Sequence, residues 1–247
     1  MKYNVKINGI DVDAKYSEED VKEIFIPLLQ HLSELQKDKN GRVVVYLAAP
    51  PGTGKSTLSS FLEMLSKEND DLCDIQAVGM DGFHRRQEYL TTHFVEQDGV
   101  SVCMVDIKGA PVTFDLDKLT EAIRMVSSGA DCKWPSYDRH LHNPVEDVYS
   151  LTGDIVLIEG NYLLLDEEGW RKLRDYADYT IKLRADEDFL RERLVDRKIK
   201  SGNTKEKAEA FVDRSDMKNV RTCLNNLGKA DMELVLDKDG NYHIAEF

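Results

Sequence analysis

The sequence predicts an α/β fold with a mostly parallel sheet flanked by helices. Five short apolar runs have the length and the branched side chains of buried strands, and they span residues 42–47, 75–80, 155–158, 179–183 and 232–236. Segments with the apolar spacing of amphipathic helices separate these runs. The first run also leads directly into a glycine-rich stretch, AAPPGTGKST, at 48–57. Strands that alternate with helices build βαβ units, which predicts a five-stranded parallel sheet.

The first 40 residues predict a strand pair followed by a helix. The alternating pattern of MKYNVKINGIDVD turns at Asn8-Gly9, a dipeptide typical of tight hairpins. A helix is then expected to begin at Ser17, because an acidic residue, Asp20, follows three positions later. The polar segment 37–41 ends this helix before the first long apolar run.

Later helices are predicted from caps and apolar spacing. Asp115 is expected to cap a helix that Gly129 ends, and another helix should start near Asp186. A last helix runs from Thr204 to about Leu227. The sequence contains no internal repeat, low-complexity stretch or linker, so we interpret 1–247 as a single domain with a lid at about 186–203.

Composition excludes several classes of function. The net charge of −13 over 247 residues disfavours a broad contact with nucleic acid or an anionic membrane, but leaves room for a locally basic pocket. No apolar run approaches the length of about 20 residues that spans a membrane. The N-terminus lacks an apolar signal region, and the four cysteines form no C-x-x-C pair. These features predict a cytoplasmic protein with a small-molecule partner.

Residues 49–56 match the phosphate-loop pattern G-x-x-x-x-G-K-[ST] except that Ala49 replaces the first glycine. An apolar strand before the loop and an amphipathic helix after it provide the required context. Alanine is small enough for this position provided that its φ angle stays negative. We therefore predict that ATP phosphates bind to the loop amides and to the side chain of Lys55. The predicted nucleotide contacts are Pro51, Gly52, Thr53, Gly54, Lys55, Ser56 and Thr57.

Two carboxylates follow predicted strands and are candidates for holding Mg²⁺. Glu159 ends the strand at 155–158, and Asp81 ends the strand at 75–80. The carboxyl ends of parallel strands meet at one edge of a sheet, which predicts that both acids lie near the hydroxyl of Ser56. A transition-metal site at His140 and His142 is disfavoured, because no third ligand lies at suitable spacing.

A phosphate loop occurs in mechanical ATPases as well as in kinases. Motor ATPases of the AAA type carry Asp-Glu at the end of the apolar strand, whereas here Glu159 is alone and is followed by Gly160-Asn161. A kinase needs a carboxylate beside the acceptor hydroxyl and a lid that excludes water. Asp81 can supply the first, and the arginine-rich segment LRERLVDRK at 190–198 can supply the second.

With these residues, the chain resembles the phosphoribulokinase/uridine kinase family, which includes bacterial type I pantothenate kinases. The resemblance runs from about Val43 to Asn219 and includes the lid at 190–198. It rests further on GTGKST at 52–57, MDGFH at 80–84, KGAPVTFD at 108–115, WPSYDR at 134–139 and VLIEGNYLL at 156–164. It implies a P-loop kinase fold with a helical lid, Asp81 as the catalytic carboxylate, and Arg193 and Arg197 on the transferring phosphate.

The resemblance also guides the choice of acceptor. The segment 108–115 is closer to pantothenate kinases than to uridine kinases, and Arg139 stands where uridine kinases usually have an aromatic residue. We predict substrate contacts at His84, Lys108, Tyr137 and Arg139. The expected function is ATP- and Mg²⁺-dependent transfer of the γ-phosphoryl group to a hydroxyl of a small metabolite, which could be pantothenate-like, a sugar or polyol, or a nucleoside. The alternative is a P-loop ATPase or a nucleotide-binding regulatory module. The sequence leaves open which acceptor and which nucleotide the protein uses. It also leaves open the oligomeric state, for which a homo-oligomer is one option.

Overall fold

The computed structural model describes residues 1–7, 9–97, 99–139 and 141–245. The strands are β1 Lys2–Ile7, β2 Ile10–Lys15, β3 Val43–Ala48, β4 Ile75–Gly79, β5 Phe94–Gln97, β6 Val100–Cys103, β7 Cys132–Asp138, β8 Asn143–Leu151, β9 Ile155–Gly160, β10 Tyr179–Ala185, β11 Met232–Leu236 and β12 Tyr242–Ile244. The helices are α1 at 18–39, α2 Lys55–Lys67, α3 Gln87–Thr92, α4 Leu116–Ser127, α5 Glu187–Lys200 and α6 at 205–226. Helices α1 and α6 each contain a π-helical turn, at Val21–Phe25 and Val212–Asp216.

The central sheet has the strand order β12-β11-β10-β3-β9-β4. The five strands from β11 to β4 run parallel, as predicted, and β12 adds an antiparallel edge strand beside β11. Strand β3 lies next to β9 in a register that places Leu47 opposite Glu159. The end of β3, where the phosphate loop begins, is therefore next to the acid at the end of β9.

The sheet is covered on both faces, which explains the continuous apolar runs of its strands. In β3 the side chains of Val43, Val45 and Leu47 belong to the core beneath α1 and α2. Those of Val44 and Tyr46 belong to the core on the opposite face, with α4. All five are fully buried. Successive residues of a strand point to opposite sides, so a strand covered on both faces buries every side chain.

The N-terminal hairpin packs against the helix that follows the phosphate loop. The ring of Tyr16 stacks on Phe61 of α2 at a centroid distance of 4.0 Å, and Tyr3 lies edge-on to the same ring at 5.2 Å. The Tyr3 hydroxyl also forms a 2.7 Å hydrogen bond with the hydroxyl of Ser60. The hairpin therefore shares a core with α2 and supports the helix that begins at the phosphate loop.

Two glycines allow close approach around β4 and the turn Met80–Phe83 that follows it. A Cβ atom at Gly82 would lie 2.4 Å from the backbone oxygen of Pro135 in β7, and one at Gly160 would lie 2.2 Å from the sulfur of Met80. The indole of Trp134 donates a 2.8 Å hydrogen bond to the carbonyl of Gly79. These contacts hold the turn that carries Asp81 between β9 and β7.

Most of the predicted elements are confirmed. Ser17, Asp115 and Asp186 accept hydrogen bonds from backbone amides as helix caps, and β11 has the predicted bounds Met232–Leu236. Strands β1 and β2 pair as expected, although Asn8 of their turn lies outside the described residues. Some strand bounds differ from the prediction. Met80 begins the turn rather than ending β4, β3 is shifted by one residue, and β9 and β10 each extend two residues further. Within the described ranges, no helix is long and apolar enough to cross a membrane.

Two hairpins were not predicted. Strands β5 and β6 form an antiparallel pair on either side of Asp98-Gly99, a dipeptide typical of tight hairpins. Asp98 lies outside the described residues. The pair β7–β8 contains Pro135 and a register shift, so its alternation is irregular. This second hairpin carries the side chains of WPSYDR, which the sequence analysis could not assign to an element.

We expect Gly82→Ala to destabilise the fold. The added methyl group meets a backbone oxygen that cannot rotate away, so the free energy of unfolding should fall by about 1–3 kcal/mol, as for other overpacked sites. Urea unfolding followed by circular dichroism measures this change. Gly41→Ala is the matched control, since a Cβ there would contact just one atom, at 3.9 Å. Equal midpoints for the two variants would contradict the close contact.

Candidate active site

The loop between β3 and α2 has the backbone of a phosphate cradle. Gly52 and Gly54 adopt φ angles of 90° and 85°, which favour glycine, and Gly54 directly precedes the first residue of α2. The first N–H groups of a helix lack intrahelical partners and form an anion site with the helix dipole. The Thr53 hydroxyl donates a 2.9 Å hydrogen bond to the carbonyl of Pro50 and stabilises the turn.

Ala49 fits the position of the missing glycine. Ala49 is fully buried, and its φ angle is not positive. Its backbone N–H donates a 3.2 Å hydrogen bond to the carbonyl of Gly160. Its methyl group therefore packs in the core, while the conformations that need glycine occur at Gly52 and Gly54. The backbone at position 49 therefore accepts alanine in place of the first glycine of the loop.

Glu159 lies beside the first turn of α2. The hydroxyl of Ser56 donates a 2.7 Å hydrogen bond to Oε1 of Glu159, and a Cβ at Gly79 would lie 2.8 Å from the same oxygen. The absence of a side chain at Gly79 thus makes room for the carboxylate. Burial raises the pKa of Glu159, and the positive charge of Lys55 offsets only part of this effect.

Asp81 shares a cleft with these two residues but has the opposite pKa shift. Burial alone would raise the pKa of Asp81, yet the positive charges of His84, Lys55 and Arg139 outweigh it and lower the pKa. The pKa of His84 is also lowered, because burial outweighs the opposing charge of Asp81. The pKa values of the two neighbouring carboxyls therefore shift in opposite directions, and that of Asp81 is lowered.

The arginine-rich helix α5 lies directly over the phosphate loop. The side chain of Leu194 packs 3.2 Å from the position of a Cβ at Gly52, and Nη2 of Arg193 lies 3.3 Å from the corresponding position at Gly54. Arg197 follows one turn later and is open to solvent along the cleft. Partial desolvation lowers the pKa of Arg197, and the charge of Arg139 lowers it further. Arg193 thus lies at the loop, and the charge of Arg197 acts on Asp81.

The predicted substrate residues meet on the other side of Asp81. The ring of His84 lies 3.9 Å from that of Phe114 and 5.2 Å from that of Tyr137. Lys108 donates hydrogen bonds of 2.7 Å to the side chain of Gln87 and 2.8 Å to the carbonyl of His142. Its Nζ also lies 5.2 Å from the centroid of Tyr137. Lys108 therefore holds the tip of the β7–β8 hairpin as well as facing the cleft.

Several polar residues near the site were missed by the sequence analysis. Gln87 contacts Lys108 and also donates its backbone N–H to Asn143, at 2.8 Å. Oδ2 of Asp216 and Oδ1 of Asn161 are buried without a hydrogen-bond partner among the described residues. Asp216 ends a π-helical turn with the sequence VDRSD. This sequence has no distinctive pattern, so the turn could be recognised only in the structure. The His140–His142 pair is not tested, since His140 lies outside the described residues.

Comparison with known proteins agrees with this geometry. Residues 44–233 match the phosphoribulokinase/uridine kinase family. The chain belongs to this family. The chain is 43% identical over 246 residues to the protein YggC of Escherichia coli (strain K12), described as uncharacterized, which covers 99% of this chain and 100% of that one. It is 31% identical over 199 residues to a Schizosaccharomyces pombe protein named "Putative uridine kinase C227.14", with coverage of 78% and 83%.

A solved structure supports the same conclusion. The "putative fructose transport system kinase" of Silicibacter sp. TM1040 is 30% identical, covers 83% of this chain and 98% of its own, and superposes with a TM-score of 0.72. The protein is therefore a P-loop kinase of small molecules, an ATP-binding transferase. The names of the relatives differ in the acceptor, so none of these acceptors is transferred to this chain.

We expect Lys55→Ala to lower turnover by about 10²-fold or more, because it removes a charge-assisted contact to the β- and γ-phosphates. Coupled ADP release and nucleotide titration measure the loss. Lys67→Ala is the matched control, since Lys67 lies at the other end of α2 and pairs with Glu63 on the surface. Unchanged turnover in Lys55→Ala would contradict the phosphate-loop assignment.

We expect neutralisation of both lid arginines, Arg193→Gln with Arg197→Gln, to reduce kcat by about 10²-fold while ATP affinity changes less. The reason is that these cations act mainly on charge that develops during transfer. Steady-state kinetics separate the two effects. The control, Arg191→Gln with Arg221→Gln, removes two positive charges that form ion pairs with Asp213 and Glu187 beside the same helix. Equal rates in the two double variants would show that the arginines only form a solvated surface.

Proposed function

We propose that the protein transfers the γ-phosphoryl group of ATP to a hydroxyl of a small metabolite in a Mg²⁺-dependent reaction. One observation carries the proposal. A cleft of about 180 Å³ is lined by Ser56, Asp81 and Glu159 together, beside the phosphate cradle. This arrangement puts an ionised carboxylate where an acceptor hydroxyl can approach the end of a bound triphosphate.

The oxygen donors at this cleft fit Mg²⁺. Magnesium is bound in such sites by one or two carboxylates together with substrate phosphates and water. The hydroxyl of Ser56 and the carboxylates of Glu159 and Asp81 supply such ligands, and the hydrogen bond between Ser56 and Glu159 orients both groups. When bound, the metal would neutralise charge on the phosphates.

The side chains of this chain would divide the remaining work. Asp81 accepts the proton of the acceptor hydroxyl, which its lowered pKa permits because the carboxylate is ionised near neutral pH. Lys55, Arg193 and Arg197 stabilise the charge of the phosphoryl group in flight. The hydrophobic contact of Leu194 with the loop holds the lid helix in place and restricts water at the reacting end.

The chemistry of the rest of the chain supports a small-molecule acceptor and a cytoplasmic setting. The net charge of −13 disfavours nucleic acid and anionic membranes as partners. The four cysteines are free thiols. The N-terminal hairpin shares its core with the phosphate-loop helix, which supports treatment of the chain as one domain.

The test of this proposal is Asp81→Asn. The variant keeps size and some hydrogen bonding but loses proton affinity, so acceptor phosphorylation should fall by about 10²–10⁴-fold, the usual contribution of a general base. Nucleotide binding should persist, because the loop, Lys55 and Glu159 remain. The measurement is ADP release with a panel of nucleosides, sugars, polyols and vitamins, using the exposed Asp70→Asn as control.

A Mg²⁺ titration separates the two roles of Asp81. A metal-binding defect should be partly rescued at high Mg²⁺ concentration, whereas loss of the base should not. Full acceptor phosphorylation by Asp81→Asn would refute the mechanism. ADP release that no acceptor stimulates would favour an ATPase instead.

A further inference from the structure

The N-terminal hairpin forms part of the wall of the catalytic cleft. The cleft that contains Ser56, Asp81 and Glu159 is also lined by Lys6 and Ile7, the last two residues of β1. The part of the chain that matches the family begins at residue 44, so the hairpin lies outside it. An element that the family match does not include therefore borders the proposed reaction site, where differences in specificity between relatives arise.

Contacts with α2 hold the hairpin against the cleft. The hydroxyl of Tyr3 forms hydrogen bonds with the hydroxyl of Ser60, at 2.7 Å, and with the carbonyl of Ser60, at 3.1 Å. The Tyr3 ring packs edge-on against Phe61 of the same helix. Because α2 also carries Ser56, the hairpin and the phosphate loop are positioned by one helix.

A polar face of α2 forms the floor of the cleft. The cleft-lining residues of α2 are Ser56, Ser59, Ser60 and Glu63. Their spacing places them on one side of the helix. At a rise of 1.5 Å per residue, this face is about 10 Å long. A ligand whose reacting hydroxyl lies at Asp81 can therefore extend along a row of polar groups towards the hairpin.

The chemistry of this wall favours a neutral ligand with several hydroxyls. The carboxylate of Glu63 disfavours an anion beside it, and the ammonium of Lys6 disfavours a cation. Serine hydroxyls both donate and accept hydrogen bonds, as the hydroxyls of a ligand do. Tyr149 of β8 lines the same cleft and is 42% exposed, so its ring offers an apolar surface to the carbon chain of such a ligand.

The side chain of Lys6 is available to bind this ligand. Its Nζ lies 3.6 Å from Oδ1 of Asp11, and the two side chains are 65% and 87% exposed. Exposed ion pairs of this kind contribute little to stability, so a ligand oxygen can replace Asp11 at little cost.

The geometry points to the N-terminal hairpin as an element that selects the acceptor, with the Lys6 ammonium donating a hydrogen bond to a distal hydroxyl while the reacting hydroxyl lies at Asp81. The acceptor is then a neutral metabolite with several hydroxyls along its chain. This inference rests on the proposed function and adds a specificity-determining residue to it. The reaction is an ordinary phosphoryl transfer, in which the acceptor oxygen bonds to the γ-phosphorus, its proton passes to Asp81 and ADP leaves.

The first experiment varies the length of the acceptor while its chemistry stays the same. ADP release by the wild-type protein with ATP and Mg²⁺ is measured with the linear polyols glycerol, erythritol, ribitol and mannitol, and with uridine and pantothenate for comparison. A short chain cannot contact both Asp81 and Lys6. We therefore expect kcat/KM for the best longer polyol to exceed that for glycerol by about 10-fold or more, the usual effect of one hydrogen bond to a charged group.

The second experiment tests Lys6 with the best longer polyol and with glycerol. Lys6→Ala should raise KM for the longer polyol by about 10-fold and leave KM for glycerol and for ATP within about 2-fold. Lys6→Arg should recover part of the loss, since it restores a charged donor. Lys15→Ala is the matched control, because Lys15 pairs with Lys2 at the other end of the same hairpin and is not among the described residues that line the cleft. Thermal unfolding of each variant checks that it is folded.

The outcomes separate the two proposals. ADP release that no acceptor stimulates would overturn the kinase mechanism. Stimulation by uridine or pantothenate but by none of the polyols would leave the kinase intact and overturn the inference about the hairpin. An unchanged KM for the longer polyol in Lys6→Ala would overturn it as well, and so would an equal rise in KM for glycerol, since a purely structural role of the hairpin affects short and long acceptors alike.

Discussion

The parallel pairing of β3 with β9 is the constraint on which the site depends. Leu47 lies opposite Glu159 in this pair, so the phosphate loop and its acidic partner emerge side by side from the same edge of the sheet. A shift of one residue would turn Glu159 towards the opposite face and separate it from Ser56. The register is strongly specified because both strands are buried on both faces. The hydrogen bond between Ser56 and Glu159 is a local consequence of this larger packing.

The second organising feature is that the pKa values of two neighbouring carboxyls, Asp81 and Glu159, shift in opposite directions. Glu159 lies in a buried position where its pKa is raised, whereas Asp81 lies among cations that lower its pKa. Such a division lets two adjacent carboxyls serve different purposes, one suited to a metal and one to a proton. It requires cations from four separate parts of the chain: the loop, the turn after β4, the β7–β8 hairpin and the lid.

This modular arrangement explains why membership in the family does not name the acceptor. The sheet, the loop and the lid are common requirements for holding a triphosphate, and relatives with different names retain them. The residues predicted to contact the acceptor lie instead on the turns that follow β4 and β6 and on the β7–β8 hairpin. In this chain those segments place Tyr137 and Lys108 close to His84.

The sequence by itself determined the parts of this protein that depend on local pattern. The runs that became β3, β9 and β11 were found because strands buried on both faces must be apolar throughout, and the caps at Ser17, Asp115 and Asp186 because their side chains bond amides three residues away. The phosphate loop was found because its glycines and lysine are adjacent in the chain.

Only the tertiary structure decided the features that join distant segments. The β7–β8 hairpin was missed because Pro135 and a register shift break its alternation, and the need for glycine at position 82 became visible only when the backbone of Pro135 was placed against it. Arg193 could be matched to a lid by resemblance, but its distance from Gly54 follows from the packing of Leu194 on the loop. Sequence periodicity reports which face of an element is buried, whereas a site depends on which elements meet, and long-range packing decides that.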